Sequence, residues 1–173
     1  MSHYVPDTCC AKPPEGRCKY DNPAIRWAAN PRVAWTQPIS AMTSPGGCLV
    51  VTEGIADALV SVQAGYRSVG VLGSTYPDRE VARRILQGAN EIGVQRVVVC
   101  FDADVAGRTG SSRLVDLLNG CGVEDVVEVV PPAGLDLSEW ASTGNAVAEA
   151  FRATATPDLG TKDASVRSLG LEL

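Results

Sequence analysis

The chain has 173 residues, 45% hydrophobic and 20% charged, the balance of a single soluble domain with a real core. Its formal charge of −5 excludes strong unaided attraction to nucleic acid, which needs clustered Lys and Arg to neutralise phosphates; a metal or a partner must then supply much of any such attraction. No apolar run approaches the roughly 20 residues that cross a bilayer, and "MSHYVPDTCC" lacks the basic start and apolar stretch of a secretory signal, so no membrane association and a cytoplasmic location are expected.

Residues 1–47 hold most of the prolines and two of the tryptophans, Trp27 and Trp35. Such punctuation permits only short strands and loops, so this segment is expected to be an irregular N-terminal arm. His3, Cys9, Cys10 and Cys18 within it lack the paired C-x2-C knuckles of a structural zinc site, and zinc is not expected there. From Cys48 the pattern becomes regular. "CLVVTE" reads as a buried strand. "IADALVSVQAG" follows as a helix, with Ile55, Leu59 and Val62 at helical spacing and Gly65 as its stop. "SVGVLG" is a second strand. "PDREVARRILQGANEIG" is a helix opened by Pro77, with Val81, Ile85 and Ile92 on one side. "RVVVCFD" is a third strand, "AGRTGSSRLVDLLNGCG" a helix and "DVVEVV" a fourth strand. "DLSEWAS" and "AVAEAFRAT" are short helices, and residues 154–173 read as a flexible tail. Cys48 and Cys100 fall in apolar runs and are expected as core thiols.

Strands that are apolar on both faces and alternate with helices imply an α/β fold: a mainly parallel four-stranded sheet covered on both sides. In such sheets, ligands bind beyond the carboxyl ends of the strands. Asp102 and Asp104 stand at that end of the third strand. Alternating side chains would place them on one face, roughly 6–7 Å apart. Two carboxylates so placed repel by roughly 2–3 kcal/mol at an effective dielectric near 20. Solvent, an arginine, a raised pKa or a cation must compensate. A Mg²⁺ ion suits the arrangement, since it takes one or two carboxylates plus substrate phosphates. The same residues would also serve simply to end the strand and cap the next helix.

Glu53 ends the first strand in the same way. In the common 2-1-3-4 order the first and third strands are neighbours about 4.8 Å apart, so Glu53, Asp102 and Asp104 would converge on one crevice. Gly54 and Gly107 either let phosphate oxygens approach the backbone or make ordinary strand-to-helix turns.

In order along the chain, "VVTEGIADAL", "VGVLGS", "VVVCFDADVAGR" and "PPAGLDLSEW" resemble the motifs of a Toprim domain, and among its bearers those of the DnaG-type bacterial and phage primases. The resemblance spans roughly residues 47–151, giving a Toprim domain over 48–153. It implies Glu53 as general acid/base or metal ligand, Asp102 and Asp104 as Mg²⁺ (or Mn²⁺) ligands, and Asp136 as a supporting ligand. Metals there polarise the phosphate and stabilise attacking and leaving oxygens. Arg108 would contact a phosphate or be an ordinary solvated helix residue. Asp57 would serve the site or be a first-turn acid favoured by the helix dipole.

"GRCKYDNP" resembles the segment that precedes Toprim in primases, making residues 1–47 a remnant of the primase RNA-polymerase subdomain. A full primase also carries zinc-binding and basic template-binding parts. The expected function is therefore the Toprim part of a DNA primase. It would transfer nucleotides to make RNA primers on single-stranded DNA, with a partner chain supplying zinc-binding and template-binding parts or a helicase. The alternatives are a Toprim nuclease, with water as nucleophile on the same carboxylates, and a noncatalytic Toprim scaffold.

Overall fold

The fold is that of a computed structural model. It describes the backbone of His3–Tyr4 and Tyr20–Asp21, and residues 32–39, 47–72, 77–132, 134–144 and 149–150. The cysteines of the arm, Ser74 and Thr75, most of "AVAEAFRAT" and the tail lie outside the described residues. The chain forms two compact units, Met1–Pro31 and Arg32–Leu173. In the first, β1 (His3–Tyr4) pairs antiparallel with β2 (Tyr20–Asp21).

The second unit contains β3 (Val33–Trp35), β4 (Cys48–Thr52), α1 (Ile55–Gln63), β5 (Arg67–Val71), α2 (Arg79–Ile92), β6 (Arg96–Cys100), α3 (Val105–Gly120), β7 (Asp125–Glu128) and α4 (Leu137–Ser142). The sheet runs β3-β5-β4-β6-β7. The last four strands are parallel and stand in the expected 2-1-3-4 order. The fifth is an addition: β3 pairs antiparallel with β5, Val33 opposite Val71 and Trp35 opposite Val69. It lies within the segment read as irregular. Three residues between Pro31 and Pro38 are too few to display a period of two, so no pattern betrays them.

Why the central strands form is plain from their composition. Each residue of β4 is buried, as are the last four of β6, which only a sheet covered on both faces achieves. Alternation splits them between two cores. Leu49, Val51, Val69, Val71, Val97 and Val99 pack with Val81, Ile85, Leu114 and Leu118 of α2 and α3. Cys48, Val50, Val98 and Cys100 pack with Leu137 and, around it, Val60 and Trp140 of α1 and α4. Cys48 and Cys100 are buried and outside any disulfide. Trp35 belongs to the first core: its ring occupies the space where a Cβ on Gly88 of α2 would sit.

The helix ends follow local chemistry. Asp78, not Pro77, caps α2, its side chain accepting from the amides of Glu80 and Val81 at 3.1 Å each. Such a cap is worth about 1 kcal/mol. Gly93 closes α2 in the left-handed region at φ 69°, where glycine alone escapes the Cβ penalty. Among the described residues no helix is long and apolar enough to cross a membrane.

Candidate active site

The two acid-bearing strands lie side by side at the centre of the sheet, with Thr52 opposite Cys100 at their carboxyl ends. Glu53 is the first residue beyond β4, and Asp102 the second beyond β6. Glu53 is half-buried, and its Oε2 is fully enclosed with no hydrogen-bond partner. Burial pushes its pKa above the ordinary 4.5, and the charges of Asp102 and Asp104 push it further the same way. The Asp102 amide donates to this carboxylate and offsets part of the rise, to which the Asp57 charge adds a little. A carboxylate with an unpaired buried oxygen among three like charges stores repulsion that a cation would relieve.

The strand stops at Cys100, so the strict alternation expected to place Asp102 and Asp104 on one face does not reach them. They occupy the turn into α3. Asp104 is the N-cap of that helix, its Oδ1 accepting from the Gly107 amide at 2.7 Å. The capping reading is thus realised at Asp104, and its charge still acts on Glu53. Gly107 has a packing reason to be glycine. A Cβ there would overlap the Asp102 carbonyl oxygen and stand 2.9 Å from that residue's carbonyl carbon and amide nitrogen. Arg108 folds back on the same turn, donating from Nη1 to the Ala103 carbonyl at 2.6 Å.

On the β4 side, Gly54 caps α1 with extended backbone and no side-chain bond. Thr52 Oγ1 donates to the Gly54 carbonyl at 2.8 Å. Gly70 of β5 admits this turn closely, since a Cβ on it would lie 2.9 Å from the Gly54 carbonyl oxygen. Asp57, in the first turn of α1, accepts from Ser138 Oγ of α4 at 2.8 Å. That bond ties α4 to the acidic edge, and sequence reasoning missed it because nothing local marks a serine 81 positions away.

Asp136 caps α4 in a reciprocal box, its side chain accepting from the Glu139 amide at 2.7 Å while the Asp136 amide donates to Glu139 Oε2 at 3.1 Å, and it is not among the charges that act on Glu53. Beneath the site, Cys100 has its thiol pKa pushed up to about 12, by burial first and then by the Asp57 and Asp102 charges. It is therefore a protonated, inert floor.

Glu53, Asp102 and Asp104 offer only hard oxygen donors, which Mg²⁺ and Mn²⁺ prefer. The enclosed, unpartnered Glu53 oxygen fits such an ion. Among the described residues no three His, Cys, Asp or Glu side chains stand together closely enough to hold a metal ion, so an ion at Glu53 would draw most of its shell from water and phosphate oxygens.

A family model described as a Toprim domain matches residues 47–127. Over that range the chain is similar to a Toprim domain. The matched range includes Glu53, Asp102, Asp104 and Asp57; Asp136 lies past it. No curated protein matches the sequence. Among solved structures, the DnaG catalytic core is similar at 21% identity and TM-score 0.51, over 64% of this chain and 35% of that one. A DNA primase domain from Pseudomonas aeruginosa shows 28% identity and TM-score 0.48, over 62% and 32%. A DnaG primase catalytic domain bound to single-stranded DNA shows 22% and 0.48, over 65% and 34%. The chain thus spans about a third of the length of these structures, and the first of them shares its fold.

Proposed function

We propose that this Toprim domain is the metal-dependent nucleotidyl-transfer part of a DNA primase, making RNA primers on single-stranded DNA together with a partner chain. One observation carries the reading: Glu53, with a buried unpartnered oxygen, gathered with Asp102 and Asp104 at the carboxyl edge of a Toprim sheet. The order of the Glu-Gly and Asp-x-Asp-x-Ala-Gly-Arg motifs supports a primase over other users of the fold.

Toprim domains in general bind Mg²⁺, and Glu53, Asp102 and Asp104 are the residues to hold it here. When bound, the metal polarises phosphate oxygens and neutralises charge on the attacking and leaving oxygens. The chain's own residues do the remainder. The Asp102 amide orients Glu53. The raised pKa of Glu53 suits a group that accepts a proton from a hydroxyl and returns it. The Asp104–Gly107 cap and Arg108 hold the turn in place. Asp57, braced by Ser138, keeps α4 against the acidic edge, and Asp136 serves by capping α4. A working range of 48–153, a cytoplasmic location, and a partner bearing zinc-binding and template-binding parts or a helicase complete the proposal.

The test is a gel assay with labelled nucleotides, labelled single-stranded DNA and Mg²⁺ or Mn²⁺, with wild type beside Asp102→Asn. New short products lost in the variant are expected, with the partner chain added if the domain alone is silent. Shortened template would turn the reading to a nuclease. Products that persist in Asp102→Asn would overturn it.

A further inference from the structure

The sheet's two faces carry different charge. The α1/α4 side, over residues 53–66 and 134–144, holds Glu53, Asp57, Asp136 and Glu139 and no basic residue. The α2/α3 side holds Arg79, Arg83 and Arg84 in the first six residues of α2, and Arg108 and Arg113 in the first nine of α3. Arg32 joins them, because β3 runs antiparallel and delivers it beside Leu72 at the carboxyl end of β5, where the Leu72 amide donates to the Arg32 carbonyl at 2.9 Å. These arginines therefore sit on the same edge as Glu53 and Asp102, around the starts of α2 and α3. The carboxylates on that side are Asp78, Glu80, Asp104, Asp116 and Glu91, and the last two lie in the far halves of their helices.

Their pairing leaves a surplus. Arg32 meets Asp78 at 3.0 Å, and Arg83 and Arg84 both converge on Glu80 at 2.9 and 2.7 Å. Arg79, Arg108 and Arg113 form no ion pair among the described residues. Arg113 Nε donates to the Pro77 carbonyl at 2.8 Å, which draws the middle of α3 to the start of α2 and merges two short arcs into one rim. Arginine's planar fork engages phosphate oxygens in pairs, whereas a protein surface takes a cluster of apolar anchors and Val105 is the one large apolar side chain exposed at these helix starts among the described residues.

We propose that this rim is a backbone track: single-stranded nucleic acid runs across the α2 and α3 starts, its phosphates held by Arg79 and Arg113, and so is led to the carboxylates. This deepens the primase reading and rests on its claim that the substrate is nucleic acid. It also gives an acidic chain a local surface on which phosphates are welcome.

The experiment is fluorescence anisotropy of the full chain with labelled single-stranded DNA, in Mg²⁺ buffer over a series of NaCl concentrations. Each lost phosphate contact lowers the slope of log K against log salt by about 0.7 on single strands. Arg79→Gln/Arg113→Gln is expected to lower it by about 1.4, and Arg79→Lys/Arg113→Lys to restore most of it. Arg79→Gln alone breaks no ion pair among the described residues and is expected to lower the slope by about 0.7, so a folding defect at Arg113 does not spoil the result. Asp102→Asn is expected to keep the full slope while losing primer synthesis. An unchanged slope in the Gln variants, with wild type bound, overturns the track and leaves the primase reading intact. Wild type that binds no strand at any salt also overturns the track, while the primer assay with the partner chain decides the primase reading separately.

Discussion

Gly107→Ala probes how α3 is seated on the acidic turn. The added Cβ would overlap the Asp102 carbonyl oxygen and stand 2.9 Å from its carbonyl carbon and amide nitrogen, where ordinary contact begins at 3.4 Å. Those atoms are all backbone, so no rotamer change relieves the overlap. Either α3 retreats or the Asp102 peptide moves, by at least about 0.5 Å in a close-packed interior. Overpacking of this kind costs about 1–3 kcal/mol, against about 1 kcal/mol that alanine gains over glycine in a helix. The net loss, up to about 2 kcal/mol, lowers the melting temperature of a chain this size by up to about 8 °C. Mg²⁺ affinity should suffer more, because the Asp102 amide orients Glu53; a fall of at least about tenfold by calorimetry is expected. Gly120→Ala is the control. It lies at the far end of the same helix with nothing within 4 Å of its added Cβ, and it should stabilise by about 0.4–1 kcal/mol. A Gly107→Ala protein that melts and binds Mg²⁺ as wild type does would refute the reasoning.

Other outcomes follow from the same geometry. Glu53 has a raised pKa, so the folded state holds its proton more tightly than the unfolded one. Metal-free stability is then greatest, as far as Glu53 is concerned, below its ordinary 4.5 and falls as pH rises from there through the raised value; Glu53→Gln should flatten that fall in thermal melts. Glu80 has its pKa lowered to about 2, first by its bonds to Arg83 and Arg84, and acts in the opposite sense. Its contribution is present above 4.5 and lost as pH drops toward 2, so Glu80→Gln should alter only the acid limb. Ser138→Ala removes the bond to Asp57 and should cost about 1.5–3 kcal/mol, the range for a bond to a charged acceptor, read as a lower melting temperature. Cys100, its thiol pKa at about 12, should resist iodoacetamide in the native chain and react on unfolding, as peptide mass mapping would show.

The sequence made the parallel core legible because β4 and β6 are short, mostly apolar runs and α1 and α2 carry apolar residues at 3.6-residue spacing. The 2-1-3-4 order was expected from the commonest topology of such repeats, and the pairing of β4 with β5 and β6 bears it out. That order also brings Glu53 near enough to Asp102 and Asp104 to feel their charge. What stayed hidden was whatever depends on contacts between distant segments. β3 is too short to show a period, and Trp35 finds its place only because Gly88 leaves room on α2. Asp57 with Ser138 is a pairing across most of the domain. Asp78 was legible in principle: an aspartate directly before an amphipathic run is a cap signal, and the neighbouring proline drew the helix start two residues too early. Asp104 illustrates a different limit, since one side chain both caps a helix and charges a site, and sequence spacing alone does not reveal that it does both.

The pairing of Thr52 with Cys100 has a consequence for how the protein reaches its working state. Between those residues the chain builds α1, β5 and α2, so β4 meets β6 only after a long excursion closes, the kind of non-local contact that slows folding. Glu53 and Asp102 come together only at that closure. Partly folded forms with α2 or α3 already wound would hold scattered carboxylates and no shared cavity, so the capacity to take up a divalent ion arrives late, in one step with the completed sheet. Stopped-flow refolding with a metal-sensitive dye should accordingly show ion uptake in the slowest phase, in step with the final gain of strand signal.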